Sequence, residues 1–367
     1  MKIAFSSIKS IDYGGGIEKY TLELGSRLVK LGHEVTVYTL RNYGRPPREQ
    51  AGMRLIDVPC LPLRQAEKLS ASVSSVARSI FDRDLDILHM HDVVPGSLAL
   101  FARLAGAGKC VLQFHGLGWK RSRWGRVGVW VHKLLERAAV SQNNAYTAVS
   151  RTQCDYFHRK YGLSVDYIPT GTDIMPAMGA RELLEKGLVP HGYILFASRL
   201  VREKGAQYLI PAFRKLDTRV KLVIAGDSPD AGLARKLRSL AGDDQRVLFL
   251  GQVGGRLLAE LFSNAAIYAQ PSESEGLSIA LLEAMSYGNA CLVSDIPENL
   301  EAIGDTGWSF RNGSVESLTE RLDWMLRNSD ETAQARERAR DRVKDRYNWD
   351  SIAAQFESLY ARTLALS

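Results

Sequence analysis

The 367-residue chain has only four cysteines, Cys60, Cys110, Cys154 and Cys291, far apart and without a Cys-x-x-Cys pair. That spacing argues against a disulfide framework and against a cysteine zinc site, and for a reducing compartment. No run approaches the ~18 apolar residues that a membrane-spanning helix needs. Met1-Lys2 leads directly into Ile3-Ala4-Phe5, with neither the long apolar core nor the small-residue cleavage site of a secretory signal. The expectation is a cytoplasmic protein, at most peripheral on the inner face of a membrane. There is no repeat period and no low-complexity tract. A Walker lysine-serine pattern and a Gly-x-Ser-x-Gly elbow are also missing, which removes two common catalytic designs.

What is there is the composition of a globular protein: 45% apolar and 24% charged residues. At about 150 residues per domain, the length suggests two domains, each large enough for its own core. The formal net charge is +7, which favours anionic partners. No nucleic-acid-binding module is recognisable, so phosphorylated metabolites or acidic lipid are the expected partners and nucleic acid is not.

Short apolar runs alternate with helical patterns. Strands are expected at residues 2–6, 34–40, 54–58, 86–90, 110–114 and 146–149, then at 193–197, 220–225, 247–250, 267–269 and 290–293. Continuous rather than alternating apolar runs suit parallel strands covered on both faces. Alternation with helices implies right-handed βαβ units and an open, doubly wound α/β sheet. In the first helix Ile17, Leu24, Leu28 and Leu31 share one face, and Gly32 offers a left-handed stop. Ile168-Pro169-Thr170-Gly171 punctuates the chain, after which a new strand-helix series begins. The chain therefore reads as two Rossmann-like halves split near residue 171. An amphipathic helix at 351 to about 364 has no strand after it.

Three clusters bear chemistry. Gly14-Gly15-Gly16 follows the first strand and opens the first helix, where glycine allows close approach and free N–H groups face an anion. Lys19 stands where the dinucleotide fingerprint needs its third glycine, so the loop tolerates phosphate without being an NAD signature. A flexible turn explains it as well. In the second half, Arg199 and Lys204 follow the strand ending at Ala197, at the edge where open α/β sheets bind ligands. Two fixed cations suit a diphosphate leaving group. Farther on, Pro271-Ser-Glu-Ser-Glu275-Gly276-Leu277-Ser278 precedes an apolar helix. Glu275 falls in the loop, and Glu283 is expected two turns into that helix. A glutamate there is costly to bury unless it accepts hydrogen bonds, and sugar or ribose hydroxyls are suitable donors.

Together Gly15-Gly16, Arg199 with Lys204, and Glu275-x7-Glu283 resemble the retaining glycosyltransferases of family 4, which have the GT-B fold. Leu31-Gly32-His33-Glu34-Val35, His115-Gly116, Ala148-Val149-Ser150 and the closing helix with Trp349 extend the resemblance along nearly the whole chain. The resemblance implies two Rossmann-like parallel-sheet domains facing a cleft. Residues 1–171 and about 350–367 would form the acceptor side, and 172–349 the nucleotide-sugar side. It implies that Arg199 and Lys204 hold the donor diphosphate, that Glu275 meets the transferred sugar, and that Glu283 meets the ribose. Gly276, Leu277 and Ser278 would lie along the phosphates, Gly15 and Gly16 would approach them from the other domain, and His115 would lie beside the reacting sugar. The catalytic set is then His115, Glu275, Arg199 and Lys204. No metal and no cofactor is expected beyond a UDP- or GDP-sugar donor. The acceptor is expected to be a saccharide or lipid-linked saccharide, in polysaccharide or glycolipid synthesis. Thr170, where many relatives have asparagine, and Gly276-Leu277, in place of a glycine-phenylalanine-glycine variant, depart from the family pattern.

Two further features stand apart. His89, His91 and His115 could make a metal site by residue type, although hydrogen-bonded residues at a strand end are the simpler reading. From Trp119 to Arg137, basic residues (Lys120, Arg121, Arg123, Arg126, Lys133, Arg137) interleave with Trp119, Trp124, Trp130 and aliphatic residues. That mixture suits an anionic membrane surface or a lipid-linked acceptor. An ordinary amphipathic helix with a solvated basic face explains it equally. A nucleotide-sugar 2-epimerase and a catalytically silent partner subunit of the same fold are the competing readings of the whole chain.

Overall fold

The computed structural model describes residues 1–11, 15–43, 47–63, 66–82, 84–120 and 125–365. The chain divides into two compact units, Met1–Thr170 with Trp349–Ser367, and Gly171–Asn348.

The first unit holds eight strands: β1 (Lys2–Ile8), β2 (Glu34–Leu40), β3 (Glu49–Gln50), β4 (Met53–Val58), β5 (Ile87–His91), β6 (Lys109–Phe114), β7 (Ala145–Ala148) and β8 (Asp166–Tyr167). Their order in the sheet is β3-β4-β2-β1-β5-β6-β7-β8. All pairings are parallel except β3 with β4. The helices are α1 (Gly16–Lys30), α2 (Glu67–Ile80), α3 (Val93–Gly96), α4 (Ala99–Leu104), α5 (Arg126–Val140) and α6 (Arg151–Tyr161). Successive strand residues point to opposite faces, and both faces are covered. Ile3, Phe5, Ile87 and Val111 pack with Tyr20, Leu24 and Leu28 of α1. Ala4, Leu88, Met90 and Leu112 pack on the other side with Val76 of α2, Ala99 and Ala102 of α4, Ala139 of α5 and Phe157 of α6. Two-sided burial is why these strands read as unbroken apolar runs. Gly32, at φ +87, takes the left-handed turn that ends α1, with its N–H on the Val29 carbonyl and that of His33 on the Leu28 carbonyl.

The second unit holds α7 (Arg181–Glu185), β9 (Tyr193–Ala197), α8 (Ala206–Arg214), β10 (Lys221–Ala225), α9 (Ala231–Ala241), β11 (Val247–Gly251), α10 (Gly255–Asn264), β12 (Ile267–Gln270), α11 (Ile279–Ser286), β13 (Ala290–Ser294), α12 (Pro297–Ile303), β14 (Trp308–Phe310), α13 (Val315–Arg327) and α14 (Ser329–Arg346). The strands run parallel in the order β11-β10-β9-β12-β13-β14.

The last helix, α15 (Trp349–Ala365), belongs to the first unit. Its Trp349, Ile352, Phe356 and Tyr360 are buried in the cluster around α1. Arg27 donates to Asp350 and His33 meets Glu357, which fastens the helix along α1.

Each strand expected from the sequence is present, with ends moved by at most two residues. Three others, β3, β8 and β14, are two or three residues long and lie at sheet edges. A strand paired on one side only and so short has no apolar run to betray it.

Candidate active site

In the second sheet β9 and β12 are neighbours, yet β9 leads to β10 on one side and β12 to β13 on the other. Beyond the carboxyl ends of two such strands the chain leaves a crevice. The loop after β9 carries Arg199, exposed, and Lys204, half-buried. The Ser198 N–H donates to the Ala225 carbonyl and that of Leu200 to the Asp227 carbonyl, so the loop is pinned to the end of β10. Arg202–Lys204 form a single 3-10 turn closed by Gly205 at φ +79. A Cβ on Gly205 would collide with the Pro271 carbonyl, so glycine is required both for the turn and for the contact with the loop after β12.

That contact brings the predicted charges together. The Glu273 N–H donates to the Glu203 carbonyl at 2.8 Å, and Tyr208 donates to the Glu273 carboxylate. Nζ of Lys204 lies 2.6 Å from Oε1 of Glu275, with side chains 19% and 8% exposed. Leu277 and Ser278 are buried. Ser278 caps α11 by accepting from the Leu281 N–H at 3.3 Å. The first N–H groups of a helix have no intrahelical acceptor, so the mouth of α11 is electropositive. Glu283 is the fifth residue of α11 and half-buried; it sits one turn in, not two, because the helix starts at Ile279. The phenol of Tyr268, on β12, is pushed far above its usual range by burial first, with Cys291, Glu275 and Glu283 adding to it. Both glutamates therefore face the same strand end.

A polar network the sequence reading missed supports this loop. Ser278 Oγ donates to Gln270 Oε1 at 2.7 Å, and Gln270 Nε2 donates to Asn299 Oδ1 at 2.8 Å. Asn299 Nδ2 donates to Ser294 Oγ at 2.9 Å, and that hydroxyl donates to the Ser272 carbonyl at 2.5 Å. All are buried. A glutamine closing the apolar run at 267–269 was the available signal, since a buried amide needs partners.

In the first unit Gly15 is the N-cap of α1, with its carbonyl accepting from the Lys19 N–H, and Gly16 begins the helix. Gly14 lies outside the described residues. Buried Glu18 folds its carboxylate over Gly15. The positive end of α1 thus already has an acid beside it, and an anion approaching there meets that charge.

His115 follows β6, with its N–H on Asp92 Oδ1 at 3.1 Å. Its Nε2 lies 2.8 Å from Nδ1 of His91, and His91 Nε2 lies 3.2 Å from the Thr21 hydroxyl. His89 is held by Tyr360 at 2.6 Å and by Gln113 Oε1 at 3.0 Å. Burial, with the nearby His115, lowers His89 to about 3. Burial, with His89, His115 and Lys68, also puts His91 well below the usual imidazole value. Among the described residues no group of His, Cys, Asp or Glu is arranged to hold a metal ion. The three histidines are a hydrogen-bonded cluster, in line with the simpler of the two sequence readings.

The basic-aromatic stretch divides. Arg121, Arg123 and Trp124 lie outside the described residues, as does the side chain of Lys120. Trp119 is half-buried, 6.1 Å from the Tyr156 ring with Lys133 over its face at 5.0 Å. It is therefore a packing residue of this unit and not an outward anchor. The outward face of α5 is apolar instead. Val127 is 76%, Trp130 65% and Leu134 55% exposed, one stripe at helical spacing. No helix is long and apolar enough to cross a membrane among the described residues.

Two family models match in succession: "Glycosyltransferase Family 4" over residues 14–175 and "Glycosyl transferases group 1" over residues 187–342. The chain is 28% identical to a phosphatidyl-myo-inositol mannosyltransferase of Mycolicibacterium smegmatis, over 98% of this chain and 93% of that protein. It is 26% identical to an N-acetyl-alpha-D-glucosaminyl L-malate synthase of Bacillus anthracis, over 98% and 96%. Among solved structures, sucrose-phosphate synthase of Thermosynechococcus elongatus superposes with a TM-score of 0.88 at 21% identity, covering 100% of both chains.

Proposed function

The chain belongs to the family 4 glycosyltransferases of GT-B fold, and from that premise we propose how its residues carry out the transfer. It is an enzyme that moves a sugar from a nucleotide-diphosphate donor to a hydroxyl. No observation on this chain favours the epimerase or the silent partner. The single observation that carries the assignment of roles is the Lys204–Glu275 pair at the switch point of the second sheet.

In this reading Arg199 and Lys204 hold the donor diphosphate and take up the charge that grows on it as the glycosidic bond breaks. The amides of Leu277 and Ser278 at the mouth of α11 add to that field. Gly276 keeps side-chain bulk away from the phosphates. Glu275, once Lys204 turns to phosphate, accepts hydroxyls of the transferred sugar, and Glu283 accepts those of the ribose. Retention follows if the acceptor oxygen bonds to the anomeric carbon on the face the diphosphate leaves. The carbon–phosphate-oxygen bond breaks, and the acceptor proton passes to a leaving phosphate oxygen. Cations and amides supply the positive charge, so the scheme uses no metal and no further cofactor. Melting curves with UDP, GDP, ADP and their sugars test it, because a ligand that binds only the folded state raises the melting point. One nucleotide series should stabilise; no shift with any nucleotide would overturn the donor assignment. The anomeric configuration of the product, read by NMR, decides retention.

For the acceptor we propose a lipid-linked saccharide reached at an anionic membrane surface. Residues 98–141 contain eight Lys or Arg and one acid, Glu136, which is buried under Lys160, Tyr156 and Tyr161. On α5, Arg126, Lys133 and Arg137 flank the apolar stripe. Helices α2, α4 and α5 cover one face of the sheet, and all three expose apolar side chains: Leu69 and Val73; Phe101 and Leu104; Val127, Trp130 and Leu134. On α4 and α5 an apolar surface rimmed by basic residues fits acidic lipid. A second copy of the chain on the same face would set like charges against each other.

A further inference from the structure

In the second unit, a run of buried hydrogen bonds has only one direction. The Ser294 hydroxyl faces the Ser272 carbonyl at 2.5 Å, and a carbonyl can only accept. That contact uses the one proton of the hydroxyl. Ser294 Oγ must therefore accept from Asn299, which turns the Asn299 amide nitrogen toward it at 2.9 Å. Asn299 Oδ1 is then left facing Gln270, so Gln270 presents its own amide nitrogen there at 2.8 Å. Gln270 Oε1 accepts from the Ser278 hydroxyl at 2.7 Å and from the Tyr268 phenol at 3.3 Å. The Ser278 oxygen, its proton spent, accepts from the Leu281 N–H at 3.3 Å. A backbone carbonyl at the start of the loop after β12 and a backbone N–H in α11 thus fix every group between them.

We propose that Gln270, Ser294 and Asn299 are positioning residues: they hold the loop at 272–278 so that the amides at the mouth of α11 are set for the terminal phosphate of the nucleotide before the donor arrives. The proposal rests on the reading that the donor diphosphate lies at that helix end. The surroundings fit the task. The run grips the loop at both ends, at Ser272 and at Ser278. Its middle is tied to the Lys204 loop through Glu273 and Glu275. The Ser278 hydroxyl is turned inward to Gln270, so its proton is not offered to a phosphate. Apolar side chains would fill the same space without direction, whereas a buried polar run specifies one arrangement. The terminal phosphate carries the bond that breaks, and dipoles fixed in advance act most strongly where charge develops.

The hold on the loop can be read without ligand. Ser294→Ala takes its donor from the Ser272 carbonyl. Hydrogen exchange at the Glu273 and Leu281 N–H groups should then speed by roughly tenfold, the scale of one buried polar group left unpaired. Ser294→Thr, which returns the hydroxyl, should restore the wild-type rate. Gln270→Met, similar in length and uncharged, should act as Ser294→Ala does, and serves in its place if that variant fails to fold. Unchanged exchange in a folded variant would overturn the proposal. Calorimetric titration then compares UDP, GDP and ADP with their monophosphates. The diphosphate that the wild-type protein binds should weaken by roughly tenfold in Ser294→Ala, and its monophosphate hardly at all. An equal loss for both nucleotides marks general loosening and defeats the positioning role. Faster exchange with every nucleotide affinity unchanged would defeat the placement of the diphosphate at α11, while the hold on the loop stands.

Discussion

Nζ of Lys204 and Oε1 of Glu275 lie 2.6 Å apart, joining residues 71 positions distant in the chain. Both side chains are mostly buried, so the pair is a matched charge held ready at the end of β9 and β12. A diphosphate can replace the carboxylate as partner of the lysine, which frees the carboxylate for hydroxyls.

Lys204→Ala and Glu275→Ala should each lower transfer by roughly a hundredfold, the scale seen when one donor to a developing anion is removed. Each single variant leaves a partner charge unpaired in a half-buried place, so each should also melt lower than the double variant predicts by addition. Near-normal turnover in either single variant would remove the role given to that residue.

Gly205→Ala should be far more damaging than Gly251→Ala. Both glycines have positive φ, which costs an L-residue about 1–2 kcal/mol. Nothing lies near the missing Cβ of Gly251, whereas that of Gly205 meets the Pro271 carbonyl. The first substitution must push the Lys204 loop away from the Glu275 loop. Donor KM should rise for Gly205→Ala and stay unchanged for Gly251→Ala, by steady-state kinetics on both.

Stability should fall as the pH drops below about 6.5. His89 titrates near 3 when folded, against 6.5 for a free imidazole. Between those values the unfolded chain binds a proton that the folded chain refuses. Stability is therefore complete above pH 6.5 and is lost on acidification. From pH 6.5 to 5 the loss is about 2 kcal/mol for this one group, at 1.36 kcal/mol per unit. Denaturant midpoints at the two pH values check it. His89→Gln, which keeps partners for Tyr360 and Gln113, should flatten the dependence; an unchanged slope would exclude His89 as its source.

Trp130→Ser with Leu134→Ser should weaken sedimentation with anionic vesicles and leave the melting point within a degree or two, since both side chains are largely exposed. Arg126→Glu with Lys133→Glu should act likewise and more steeply at low salt, where charge is less screened. Equal partitioning of all three proteins would defeat the membrane face.

Part of the candidate site was legible before any coordinates. The spacing of Lys204 after an apolar strand, and of Glu275 before a helix start, names two residues that the fold brings into contact. The Trp119 stretch shows the limit. Tryptophan beside lysine reads the same whether it faces lipid or packs on Tyr156, and only the placement of α5 shows that Trp130 faces outward while Trp119 does not. Gln270 gave only the signal of an amide closing an apolar run, and Asn299 and Ser294 gave none, because each works through a partner far away in the chain.

By itself, then, the sequence determined the parallel α/β architecture, the two-unit division and the identity of the charged groups. Those follow from local periodicity and from residue chemistry. Tertiary structure alone decided that Lys204 touches Glu275 and that Ser278, Gln270, Asn299 and Ser294 join in one buried network. Each depends on atoms brought within about 3 Å across as many as 71 residues, at distances where hydrogen bonds form, and no local pattern encodes them.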